Sequence, residues 1–256
     1  MHVFRLTGDF ETLDAYTPLF FDLGARGMEE KEGEVWVYFP TRVELPLPGE
    51  WLELEDEDWL EAWKRDLQPV RAGPFVVLAP WHTWEGPERR IVLEPGMAFG
   101  TGHHETTRMA LEALAREPIH GARVLDLGTG SGILAIAAAM RGAEVLGVDV
   151  DASVIPQAEA NARRNQAPAR FKVGSLEAAE PPYDLVVANL YAELHQTLAP
   201  RYAEILRPGG RALLTGILAE REAGVLRAME DAGFSLLSRR QEGEWVLLAF
   251  RYSPED

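Results

Sequence analysis

No cysteine occurs anywhere in the 256 residues, which removes disulfides and thiolate metal sites from consideration. Basic side chains are scarce as well: 25 Lys and Arg against 41 Asp and Glu leave a formal charge of −16. The shortage is concentrated at the front, where residues 1–66 hold 6 basic against 17 acidic side chains, while 67–256 hold 19 against 24. An acidic front end repels phosphate backbones and attracts basic partners, so naked nucleic acid is disfavoured. A solvated acidic surface that serves solubility is the plainer reading of the same charge. Long apolar runs are missing too. The most apolar stretch, Ile133 to Met140, falls far short of the roughly 20 residues a membrane span needs, and "MHVFRLTGDFETLD" has no signal-peptide core. A cytoplasmic protein that engages no membrane is expected.

What is present reads as a small module followed by a larger one. "HVFRL" (2–6) suits a strand, Thr12 to Leu23 carries Leu13, Tyr16, Phe20 and Leu23 at helical spacing, and "GEVWVYFP" (33–40) alternates as a strand does. Three prolines between Pro40 and Gly49 close the module, and "EDEDWLEAWKRDL" reads as a linker helix with acids in its first turn and Lys64 and Arg65 in its last. The expected layout is a small acidic α/β domain over 1–54, a linker helix over 55–67 and a larger domain over 68–256. Strands are expected at 75–80 and 89–95, then a helix over 105–116. Seven more strands follow at 123–127, 144–149, 170–174, 183–188, 211–216, 234–240 and 244–251, interleaved with helices at 132–141, 152–164, 192–206 and 220–232. Unbroken apolar runs such as "VLDL" and "DLVVANL" mark strands buried on both faces, hence a parallel sheet flanked by helices. The short turn "QEGE" makes the last two strands antiparallel neighbours. The fold class is therefore α/β: a doubly wound, mostly parallel, seven-stranded sheet with a small N-terminal α/β domain.

In such a sheet, ligands sit beyond the carboxyl ends of the strands where the strand order reverses. "VLDLGTGSG" (124–132) places Gly128, Gly130 and Gly132 there, and Asp149 ends the next strand 21 residues after Gly128. Glycines admit a tight turn and close approach of a ligand, and a carboxylate at Asp149 can accept both hydroxyls of a ribose. Nicotinamide dinucleotides and S-adenosylmethionine both remain admissible on that ground. Three features favour the second: Ile133 stands where a dinucleotide fingerprint has its third glycine, Asp126 before the turn would repel a diphosphate but suits a nearby ammonium, and "ANLYAEL" puts a polar Asn189 at the ligand edge.

"VLDLGTGSG", "VDVD" (148–151), "GSLEA" (174–178) and "LRPGG" (206–210) resemble the class I S-adenosylmethionine-dependent methyltransferases over 104–251. The loop "EPGMAFGTGHHETT" (94–107) with "NLYAEL" (189–194) is more specific and resembles the ribosomal-protein methyltransferase family acting on large-subunit ribosomal protein eleven. The acidic front module and tryptophan-bearing linker extend the likeness over nearly the whole chain. The resemblance implies S-adenosylmethionine as cofactor, S-adenosylhomocysteine as product and a basic ribosomal protein as substrate; the charge of the front module would favour docking that basic protein on the acidic domain, and a monomeric enzyme is expected. It implies Gly128 and Gly130 beside the methionine portion, Asp149 on the ribose, Ser175 and Leu176 at the adenine, Thr107 on the carboxylate, and Phe99, Gly100 and Thr101 as a cover. Asn189, also expected among the cofactor-binding residues, would orient the incoming amine and Tyr191 would line its slot, these two being the catalytic pair. One departure is visible: Asn189-Leu190-Tyr191-Ala192 lacks the prolines of the Asn-Pro-Pro-Tyr motif frequent in amine and amide methyltransferases.

Transfer to an amine requires it neutral, which costs a free lysine roughly 4–5 kcal/mol at neutral pH; a carbonyl-lined, partly dry slot offsets part of this. No residue is required as general base, and His103 and His104 read as lid or cap. Adjacent histidines cannot present both rings to one ion on a helix, and His82, His120 and His195 are scattered, so no metal is expected. The competing readings are an NAD-dependent oxidoreductase, a non-catalytic ribosome-assembly binder, and a methyltransferase for glutamine or nucleic-acid bases.

Overall fold

The computed structural model describes residues 2–13, 16–25, 27–31, 33–53, 67–94 and 104–254. The helix expected over 55–67 lies, but for Leu67, outside these residues, as do Phe99, Gly100, Thr101 and His103. The chain divides into two compact units, Met1–Gln68 and Pro69–Asp256.

In the first unit, β1 (His2–Thr7), β2 (Gly27–Lys31), β3 (Glu34–Phe39) and β4 (Glu50–Glu53) form an antiparallel sheet of order β2-β3-β1-β4. Alternate residues Phe4, Leu6, Val35, Val37 and Phe39 turn inward to meet Leu13 and Phe20. The expected helix over Thr12–Leu23 is two pieces, α1 (Phe10–Leu13) and α2 (Thr17–Asp22). Asp9 starts the first piece early by accepting from the Thr12 amide at 2.7 Å. Pro18 at the start of the second cannot continue a helix from before it. Two strands were not expected: β2, whose sequence GMEEK has little apolar pattern, and β4, which returns after the prolines to pair with β1.

The second unit opens with a separate three-stranded sheet, β5 (Val70–Ala72), β6 (Phe75–Leu78) and β7 (Arg89–Val92), with β6 and β7 parallel. Helix α3 (Glu105–Arg116) leads into the large sheet: β8 (Arg123–Leu127), β9 (Glu144–Asp149), β10 (Ala169–Val173), β11 (Tyr183–Asn189), β12 (Leu206–Leu218), β13 (Phe234–Glu242) and β14 (Trp245–Tyr252). Its order is β10-β9-β8-β11-β12-β14-β13, and β14 alone runs against the others. The connecting helices are α4 (Ile133–Met140), α5 (Ile155–Arg164), α6 (Ala192–Ile205) and α7 (Glu222–Asp231).

Successive strand residues feed opposite faces of this sheet. Val124, Val145, Leu185 and Val187 join α3, α4 and the small sheet in one core; Leu125, Leu146, Val186 and Ala188 join α6 and α7 in the other. Burial on both faces explains the unbroken apolar runs and makes the expected doubly wound architecture the observed one. The order reverses between β8 and β11, so their carboxyl ends diverge and leave a crevice.

Candidate active site

A cavity of about 440 Å³ occupies that crevice, lined from the ends of β8, β9, β11 and β12 and from the first turn of α3. Gly128 opens the turn after β8 at φ +73°, the left-handed region that disfavours side chains; a Cβ there would also lie 2.6 Å from Leu190 Cδ2. The turn is pinned from below, since the Gly128 and Thr129 amides both donate to the Val148 carbonyl at 2.9 Å. Asp149 faces the cavity from the end of β9. Its Oδ2 accepts from the Gly130 amide at 2.9 Å and its Oδ1 from the Asp151 amide at 3.0 Å, so the carboxylate is fixed while each oxygen keeps capacity for a hydroxyl.

Asp126 lies beneath the turn and is not part of the cavity wall. Its Oδ2 accepts from the Thr129 hydroxyl at 2.7 Å and from the Ala135 amide at 3.0 Å, tying the turn to the start of α4. Oδ1 is buried without a hydrogen-bond partner. Burial pushes the carboxyl up to about 7, opposed by the Thr129 and Ala135 hydrogen bonds and reinforced by the nearby Asp149 charge. A carboxyl raised on folding binds its proton more tightly in the native state. Its contribution is present below the unfolded value near 3.8 and is lost as pH rises through about 7. Urea unfolding is therefore expected to show stability falling by at most about 4 kcal/mol across that window, relative to an Asp126→Asn variant. Parallel pH profiles for the two proteins would contradict this assignment.

The opposite wall is a directed hydrogen-bond chain. His104 caps α3, its Nδ1 accepting from the Thr106 amide at 3.3 Å and lying 2.8 Å from the Thr106 hydroxyl. With Nδ1 acting as acceptor, the Thr106 hydroxyl donates to it, and Thr106 Oγ1 in turn accepts from Asn189 Nδ2 at 3.1 Å. Thr107 Oγ1 lies 3.5 Å from the same nitrogen. Both threonines are buried. The chain fixes the Asn189 amide with its nitrogen toward α3, leaving the carbonyl oxygen as the group that can accept from a visitor. Gly216, at φ +79°, leaves room for this: a Cβ there would lie 2.5 Å from the Leu190 carbonyl oxygen and 2.9 Å from Asn189 Oδ1. Beneath, His195 is fully buried, its Nε2 donating to the Thr215 carbonyl at 2.9 Å and its Nδ1 accepting from the Tyr202 hydroxyl at 3.0 Å. Burial lowers its pKa to about 4, so it braces α6 against β12 as a neutral ring. Tyr191, 61% exposed, and Trp245, in edge contact with His104 at 5.0 Å between centroids, also line the cavity.

The family model described as "Ribosomal protein L11 methyltransferase (PrmA)" matches residues 41–253. A ribosomal protein L11 methyltransferase of Thermus thermophilus is 65% identical over 252 residues, covering 98% of this chain and 99% of that one. One from Deinococcus radiodurans is 47% identical over 270 residues, covering 98% and 99%. A crystal structure of ribosomal protein L11 methylase from Lactobacillus delbrueckii subsp. bulgaricus superposes with a TM-score of 0.69 at 30% identity, over 73% of this chain and all of that one. The chain belongs to the ribosomal protein L11 methyltransferase family. It is a methyltransferase, and S-adenosylmethionine is its cofactor. The residues present fit that group: a glycine turn at Gly128 and Gly130 that lines the cavity with bare backbone, and a fixed carboxylate at Asp149 that can take a ribose diol.

Of the residues this family's resemblance assigned, Thr107, Gly128, Gly130, Asp149, Ser175, Asn189 and Tyr191 all line the one cavity. Leu176 does not: it is buried in the core that also holds Leu125, Leu127 and Val148. Phe99, Gly100 and Thr101 lie outside the described residues. Thr106, Gly216, Trp245 and His195 were not singled out for the site from sequence. A glycine inside the apolar run "ALLTGIL" is a signal for close backbone approach and points to Gly216. Among the described residues no group of three or more His, Asp or Glu side chains could hold a metal, and no helix is long and apolar enough to cross a membrane.

Proposed function

We propose that this chain transfers methyl groups from S-adenosylmethionine to amines of ribosomal protein L11, lysine side chains and the amino terminus. The observation that carries the reading is the Asn189 carbonyl, held at the cavity by a buried threonine pair on the side across from Asp149. When bound, the cofactor supplies a methyl on a sulfonium, which is already a good leaving group. Asp149 accepts the ribose hydroxyls, Gly128 and Gly130 border the methionine portion, Thr107 donates to its carboxylate, and Ser175 with the Leu176 backbone meets the adenine. Asn189 accepts an N–H of the neutral amine and so turns the lone pair along the line of transfer, and Tyr191 walls the approach. Deprotonation proceeds to solvent without a dedicated base.

The acidic unit, residues 1–54, recognises the basic substrate, and residues 55–67 connect it to the transferase domain. The enzyme acts as a monomer in the cytoplasm, without direct contact to naked nucleic acid. Incubation with methyl-labelled cofactor and total ribosomal protein is expected to label L11, and label confined to RNA or absent altogether would refute the reading. Charge-led docking further predicts that raising ionic strength from about 0.05 to about 0.5 M weakens L11 binding about tenfold or more. Affinity indifferent to salt would remove the acidic unit from that role.

A further inference from the structure

Helix α5 carries a polar stripe where a helix packed on a core is usually apolar. Gln157 and Asn161 within the helix and Asn165 at its C-cap recur every four residues and so share one face. Asn165 accepts from the Val92 amide and donates to the Val92 carbonyl, both at 2.7 Å. Asn161 Oδ1 accepts from the Glu94 amide at 3.0 Å, and Gln157 Nε2 donates to the Glu94 carbonyl at 3.1 Å. Val92 and Glu94 expose their backbone groups on the same edge, as alternate residues of an extended strand do. The other edge is already used, Leu93 donating to Leu78 at 2.9 Å. Three side chains thus stand in for a missing strand.

Asn161 does one thing its neighbours do not. Fully buried, it also donates from Nδ2 to the Ser131 carbonyl at 2.9 Å, inside the turn that follows β8. One amide therefore joins the Gly128–Gly132 turn to Glu94, the residue that precedes the 95–103 segment. The turn in question holds Asp149 through the Gly130 amide. We propose that Asn161 is a positioning residue for the cofactor: it fixes the turn through Ser131 and couples its geometry to the edge at Glu94. This rests on the placement of the cofactor between Gly128 and Asp149.

Asn161→Asp separates this role from packing. The carboxylate still accepts from Glu94, but it sets an acceptor against the Ser131 carbonyl where a donor stood. Asn165→Ala breaks the strand clamp and leaves the turn untouched. Calorimetric titration with S-adenosylhomocysteine is expected to show affinity reduced about tenfold or more in Asn161→Asp and changed less than about threefold in Asn165→Ala, although both lower Tm. Affinity in Asn161→Asp within about threefold of wild type overturns the proposal.

Should Asn161→Asp not fold, amide exchange in the unmodified protein decides. Ligand is expected to slow exchange at Glu94 about tenfold more than at Val92, and equal slowing at both overturns the coupling. Ligand-induced NMR shifts at the Gly128 and Gly130 amides report separately on the placement. Their absence defeats the placement and this inference with it, whereas unchanged affinity in Asn161→Asp with those shifts intact defeats only the inference.

Discussion

Replacing Asp149 by alanine is expected to weaken S-adenosylmethionine binding by about 10²- to 10⁴-fold. Two hydroxyl donors to one carboxylate are lost, each worth roughly 1.5–3 kcal/mol, and the Gly130 amide loses its acceptor as well. The scaffold should tolerate the change, because Asp149 is only half-buried and stands at the end of β9 rather than in either core. Calorimetry with the cofactor, beside a thermal melt, separates the two effects. Asp149→Asn keeps one acceptor oxygen and turns an NH₂ toward either the Gly130 or the Asp151 amide, so an intermediate loss is expected. An alanine variant that binds within about threefold of wild type would place the ribose elsewhere.

The second large effect concerns the chemical step. Asn189→Ala is expected to lower kcat for L11 methylation by about 10²- to 10³-fold, since an oriented acceptor for the amine is removed from the path of transfer. Cofactor affinity should move by less than about threefold, because the loss falls on the amine and not on the adenosyl portion. Thr106→Val refines the point. It keeps the shape of the threonine but deletes the hydroxyl that accepts from Asn189 Nδ2 and donates to His104. The Asn189 amide is then free to turn, and a kcat loss of about tenfold is expected. Equal losses in kcat and in cofactor binding for both variants would mean that Asn189 merely supports the pocket.

The large sheet was legible because its strands are buried on both faces, so "VLDL" and "DLVVANL" announce themselves without alternation. The antiparallel β13–β14 pair was legible because four residues allow no crossover. The small strands β2 and β4 were not: one is charged along most of its length, and the other is four residues long and preceded by prolines. The split between α1 and α2 shows a helical apolar spacing overridden by Pro18 and by the early cap at Asp9.

The site divides in the same way. Gly128, Gly130 and Asp149 were readable because backbone conformation and strand position dictate their types. Thr106, Asn161 and His195 were not, because a polar residue in an amphipathic helix reads as surface until the structure shows it buried and bonded. Asp126 was expected beside an ammonium and instead secures the turn from below, a distinction only the third dimension makes.

The measurement that bears most directly on the whole account is a crystal structure of the protein with S-adenosylhomocysteine. The ribose hydroxyls are predicted within hydrogen-bond reach of the Asp149 carboxylate, with the sulfur facing the Asn189 side chain across the cavity. A nucleoside bound away from the Gly128 turn, or a sulfur directed away from Asn189, would contradict it.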